Sequence, residues 1–186
     1  MKKITLLLAV IVAFCACNNI EQMRQPILDL AANWEGTTAQ VTELMGKLNS
    51  EQLKASSMVK RMEISDSSAQ TMTEEVKQQA AGLQETFKGK MGELDKLKGE
   101  ISGFLSSLQE KSADVQALKQ GLEAGQMPDG AAGTMKNLQE MMSTATTNIG
   151  NWATQFDGIR TGFSEAYNKF NEIKGTFTEG NTGSDS

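Results

Sequence analysis

The strongest nucleophiles in this sequence are two thiols, Cys15 and Cys17. No cysteine occurs in residues 18–186, and no histidine occurs anywhere. A thiolate can attack, ligate a metal or accept an acyl group. Without histidine the commonest general base is missing. The serine–histidine–aspartate and cysteine–histidine arrangements and most zinc sites go with it. No glycine-rich phosphate loop follows a strand-like segment. The residue types therefore point away from an enzyme, and no cofactor or metal is expected. Glu74–Glu75, and Glu165 with Glu172, have the spacing of solvated helix faces. Met58 and Met62, one helical turn apart, and the neighbours Met141 and Met142 offer thioethers of the kind that bind Cu(I). Methionine more commonly fills helical cores, which is the role expected here.

The setting of the thiols gives them a specific chemistry. Lys2 and Lys3 make a basic start, Ile4 to Phe14 is apolar except for Thr5, and small Ala16 directly precedes Cys17. The apolar run is about half the ~20 residues that span a bilayer. A basic start, a short apolar run and small residues are the layout of an export signal. The segment Phe14-Cys15-Ala16-Cys17 resembles the lipobox of bacterial lipoprotein signal peptides, with Phe14 standing where leucine is usual. Cys15 follows the bulky Phe14 and is the poorer attachment point. The resemblance implies that residues 1–16 are removed. Cys17 then carries a diacylglyceryl group and, in many bacteria, an N-acyl chain such as palmitate. Residues 17–25 would form a lipidated, flexible tether. Two or more acyl chains hold a protein on a membrane stably, where one does not. Asn18 rather than aspartate follows the cysteine, which favours the outer membrane of the cell envelope. The periplasmic face and the cell surface both remain open, Glu21 being the nearby acidic residue. Loss of residues 1–16 also leaves a single cysteine, so no internal disulfide can form although export permits one.

Without the leader, 18 basic residues become 16 against 23 acidic, a formal charge of −7. No basic cluster stands out, which argues against nucleic acid as a partner. The same charge gives no attraction to anionic lipid, so the anchor must supply the membrane binding. The 170 residues from Cys17 onward suffice for one domain with a core.

The elements that would position any site are helical. Ile27, Leu30, Trp34, Thr37, Val41, Leu44 and Leu48 step by threes and fours. A second seam runs Ala80, Leu83, Phe87, Lys90, Leu94, Leu97, Ile101, Phe104, Leu108, Lys111, Val115, Leu118, Leu122. A third runs from Leu138 through Met142, Ala145, Ile149, Trp152, Phe156, Ile159, Phe163, Ala166, Phe170 and Ile173 to Phe177. This alternation is the seam of helices packed at shallow angles, and nothing alternates with the period of a strand. The two prolines, Pro26 and Pro128, permit long helices. The expected fold is all-α, an elongated antiparallel helical bundle or coiled coil of three long helices over residues 26–177. A polar tail, expected to be disordered, follows at 178–186. The first turn falls either at Ser65-Asp66-Ser67-Ser68 or at Asn49–Gln52, whose spacing resembles a capping box. The second falls in 125–133, with Gly125 as helix stop, a Pro128-Asp129-Gly130 turn and Thr134 as the next N-cap. Gly175 is read as the end of the last regular helix.

If Ala80 and Phe87 are heptad positions a, then Gly82, Gly89 and Gly103 fall at c, and Gly92 and Gly99 at f. These glycines form a weakly helical outer stripe. It is either a solvated face or a surface for close approach by a partner. The aromatic residues of the third seam are expected in the core. Asn33-Trp34 and Asn151-Trp152 are read as a trace of an internal repeat and carry no assigned role. The function these features suggest is a membrane-anchored envelope lipoprotein. It would act as a non-enzymatic interaction or scaffolding module, with another envelope protein or itself as partner. The alternative is a helical carrier of a lipid or other amphipathic ligand.

Overall fold

A computed structural model describes the backbone of residues 2–178 and the side chains of residues 20–175. The chain is all-helical, with helices α1 (Lys2–Arg61), α2 (Asp66–Thr71), α3 (Glu74–Ala124) and α4 (Ala131–Thr178), and no strand occurs among the described residues. The described residues thus form four helices where three long ones were expected: α1, α3 and α4 are long, and the first connection contains the six-residue α2. Asn49 and Gln52 lie inside α1, so no turn occurs there. The capping-box pattern is silent because Leu44, Leu48 and Ala55 continue the buried seam straight through it.

Residues divide into two compact units, one of Met1–Thr42 with Gly103–Ile149, the other of Glu43–Ser102 with Gly150–Ser186. In the first, Ile27, Leu30, Trp34 and Val41 of α1 are buried, as are Leu108, Val115, Leu118 and Leu122 of α3 and Leu138, Met142 and Ala145 of α4. The Lys119 ammonium lies 3.9 Å from Glu35 at its surface. The link from α3 to α4 is built on two left-handed glycines, Gly125 (φ 67°) and Gly130 (φ 74°). The Gly125 amide donates to the Leu122 carbonyl at 3.3 Å and the Gln126 amide to the Gly121 carbonyl at 2.9 Å. This pair of bonds is a Schellman motif, which satisfies carbonyls that the helix end would leave open. Pro128 then blocks continuation. α4 starts at Ala131, three residues before the expected N-cap Thr134. The Thr134 amide instead donates to the Gly130 carbonyl at 3.0 Å and so closes the first turn of α4.

In the second unit the buried apolar side chains are Leu44, Leu48, Ala55 and Met62 of α1, Met72, the α3 residues Ala80, Phe87, Leu94, Leu97 and Ile101, and Trp152, Phe156, Ile159, Phe163, Ala166 and Phe170 of α4. The Phe87 and Phe163 rings lie 4.7 Å apart between centroids, tilted by 40°. Gln52 donates to Asp95 at 2.7 Å, Lys98 donates to Gln52, and Gln84 donates to the Met62 carbonyl at 2.6 Å. Residue numbers rise along α1 as they fall along α3, so these segments are antiparallel. α1 ends where Met62 turns out of the helix, and its Arg61 carbonyl receives the Lys174 ammonium at 3.4 Å. A cation at a helix C-terminus is favourable to the helix dipole. Ser65 caps α2, its hydroxyl accepting from the Ser68 amide at 3.2 Å. Thr73 does the same for Val76 at the start of α3, where Glu74 and Glu75 also suit the dipole.

Two further expectations change. Residues 20–25, read as part of a flexible tether, are helical, with Arg24 on Glu21 at 3.1 Å and Gln25 donating to Asp29 at 2.7 Å. Gly175 lies within α4, which runs to Thr178. The side chains of Cys17 and Phe177, and residues 179–186, lie outside the described residues.

Phe163 is 1% exposed and stacked on Phe87, whereas Leu53 is 75% exposed. Phe163→Ala is expected to lower the unfolding free energy by about 3–5 kcal/mol in a urea titration, and Leu53→Ala to change it by less than about 0.5 kcal/mol.

Candidate functional site

The glycines of α3 lie where their heptad positions put them. Gly82, Gly89, Gly92, Gly99 and Gly103 are all exposed, and a Cβ built on any of them meets nothing within 4 Å. Gly103 belongs to the first unit and the other four to the second. Among the described residues, no side chain comes within 4 Å of a Cβ at these positions. Gly121 and Gly162 differ from it. A Cβ at Gly121 would sit 2.7 Å from Pro128 Cδ, so this glycine lets the 125–130 link fold back onto α3. A Cβ at Gly162 would meet the Lys90 stem at 3.0 Å. Lys90 occupies a seam position by laying its methylenes over Gly162 and sending its ammonium to Glu93 at 2.8 Å.

Among the described methionines Met62, Met72 and Met142 are buried and the others half-buried, so the expected core role holds for three of them. Met62 and Met142 are buried and Met58 and Met141 half-buried, the first pair of neighbours in the second unit and the other in the first. Among the described residues no group of three histidine, cysteine or acidic side chains could hold a metal ion. Among the same residues no helix is long and apolar enough to cross a membrane.

Grooves open on the surfaces of both units. One of about 390 Å³ in the first unit is lined by Ile20, Met23, Met127, Pro128, Ala131 and Ala132 with Gly125, Gln126 and Gly130, none of them charged. The spacing of Ile20 and Met23 continues the Ile27–Leu30 seam backwards, a signal present in the sequence. A groove of about 380 Å³ in the second unit is lined by Val59, Met62, Glu63, Ile64, Gln84 and Lys88. Another of about 310 Å³ carries Lys90, Glu93, Lys96 and Glu100 beside Leu97, Gln155, Gly158 and Ile159. Its charges are of both signs, so it favours neither anions nor cations.

Polar side chains also occupy the helix contacts of the second unit. Glu51 is 7% exposed in the slot between Leu48 and Ala55, with Lys54 at 3.4 Å. Sequence pattern missed it, since a carboxylate does not mark a core position. The Arg61 guanidinium, aided by Asn171, holds the half-buried Tyr167 hydroxyl below the usual phenol pKa. Comparison with protein families, curated proteins and solved structures yields no match for this chain.

Two outcomes follow. Gly89→Ala and Gly99→Ala should each stabilise the fold by up to about 1 kcal/mol, while Gly121→Ala should destabilise it, all read as shifts in thermal midpoint. Arg61→Gln should raise the Tyr167 pKa toward the ordinary phenol value in an ultraviolet titration. Because the folded pKa is the lower one, this contact adds stability as pH rises through that lowered pKa, in full above the unfolded phenol pKa, and none at neutral pH.

Proposed function

We propose that the chain is a lipid-anchored bacterial envelope protein, joined through Cys17 to the outer membrane and acting as a non-enzymatic interaction or scaffolding module. The observation that carries this reading is the order Lys2-Lys3, apolar run, Ala16-Cys17. Acylation of Cys17 would supply the attachment, and α1, α3 and α4 would be the antiparallel members of a helical bundle presenting faces to another envelope protein or to a second copy. The distribution of side chains supports the passive role. Most seam residues are consumed in packing, and several acidic groups pair along their own helices, as in Glu43–Lys47 at 2.8 Å, Glu74–Lys77 at 2.7 Å and Asp157–Arg160 at 3.3 Å. Such exposed pairs favour solubility and add little stability. The carrier reading has less behind it, because Phe87, Phe163 and Phe170 fill the space a ligand would need in the second unit.

In cells fed radiolabelled palmitate, the full chain should carry label and sediment with membranes. Cys17→Ser should abolish the label and release the protein to the soluble fraction. A Cys17→Ser protein that stays with membranes at the original level would sink the reading. Crosslinking of the anchored protein in intact cells should give a reproducible adduct with another envelope protein or with itself.

A further inference from the structure

We infer that the uncharged groove of Ile20, Met23, Met127, Pro128, Ala131 and Ala132 is a second membrane contact, seated on the lipid bilayer beside the anchor. The inference rests on acylation of Cys17 and adds to it. Cys17 precedes Ile20 by three residues, which span at most about 11 Å even when extended. Residues 20–25 are helical, so no slack follows within the described chain. An acylated Cys17 therefore holds Ile20 within that reach of the bilayer interface, and the groove that Ile20 helps to line must lie there too. Its chemistry suits that place. Two thioethers, an isoleucine, a proline ring and two alanines present apolar surface, and no lining residue carries a charge that would have to be desolvated. Ile20, Met23 and Met127 are half-buried and Pro128 is exposed, so their apolar atoms are open to an outside surface.

The bilayer is favoured over a protein partner because the tether distance alone brings lipid to the groove at high effective concentration. Zwitterionic lipid is enough. Asp129 flanks the groove and the chain is acidic, so anionic headgroups add no attraction. The contact turns the anchor from a point into a seat. Acyl chains fix position only, whereas apolar contact from both α1 and the 125–130 link also fixes how the first unit faces the membrane.

The test uses the full chain with a photoreactive benzoylphenylalanine at Met127 or, as control, at Thr147. Thr147 is exposed on α4 of the same unit, sixteen residues beyond Ala131 and so about 24 Å along the helix. Each protein is mixed with phosphatidylcholine vesicles and irradiated, lipid adducts are read by mass, and palmitate content is measured on the same samples. Lipid adducts at 127 and not at 147 are expected, with Ala132→Glu reducing them. A palmitate-bearing, vesicle-bound protein whose position 127 reacts with lipid as weakly as 147 overturns the groove contact and leaves the anchor standing. Adducts at 127 that persist in Cys17→Ser support the groove while counting against dependence on the anchor. A chain with neither palmitate nor adducts removes both.

Discussion

The apolar side chain recurring every three and four residues is the constraint the rest of this structure obeys. Each buried leucine or phenylalanine contributes roughly 1.5–3 kcal/mol, against local preferences of at most about 1 kcal/mol per residue. The seam therefore decides where helices continue. α1 runs through Asn49–Gln52 because Leu48 and Ala55 are both fully buried on either side. α4 runs through a threonine-rich stretch for the same reason. There the hydroxyls of Thr144, Thr146 and Thr154 donate back to the carbonyls of Glu140, Met142 and Gly150 at 3.0–3.1 Å, satisfied without leaving the helix.

A seam of this kind has a weakness. Apolar contact is not directional, so sliding one helix by a heptad sets leucine against leucine again. Directional groups distinguish the registers. In the second unit Gln52 lies between Asp95 and Lys98, its amide donating to one and accepting from the other. A slide of seven residues would set Gln52 against Lys88 and Met91, or against Ser102 and Leu105, and neither pair offers a carboxylate with an ammonium. Gln84 on the Met62 carbonyl fixes the same register at the end of α1. Glu51, buried in the same unit, has the Lys54 ammonium of its own helix 3.4 Å away, which offsets part of the cost of burying its carboxylate.

Much of this was legible in the sequence wherever the period was long. The seams from Ile27, Ala80 and Leu138 supply most of the buried faces, though Lys111 is exposed and Thr37, Leu83, Phe104, Ile149 and Ile173 are half-buried, and the outward placement of Gly82, Gly89, Gly92, Gly99 and Gly103 follows from heptad position alone. What escaped was decided by contacts a linear pattern does not encode. α2 is six residues long and holds no buried side chain, so it has no period to detect. Thr134 has the right type for an N-cap, but the Schellman turn at Gly125 and Pro128 brings the chain into helical geometry earlier. Gly175 lies inside α4, next to Lys174, whose ammonium reaches the Arg61 carbonyl at 3.4 Å. The candidate site divides in the same way. Cys17 is legible as a linear motif, whereas the groove joins Ile20 and Met23 to residues more than a hundred positions away, a pairing only the fold brings together.

The helical start of the described chain alters what an anchor at this end would do. A disordered linker would let the domain sample many orientations above a membrane. Here the turns before Pro26 are ordered, and Pro26 is where that order is weakest. It lacks the amide that would bond the Gln22 carbonyl, and its ring crowds the preceding turn. Gln25 bonds Asp29 across it at 2.7 Å and Ile27 is buried immediately after. Residues 20–25 are therefore stiffened from both directions, by Ile20 and Met23 against the 125–130 link and by the seam that resumes at Ile27. Pro26 so braced keeps its place inside α1, and an acylated Cys17, as proposed, would lead into ordered helix rather than a loose linker.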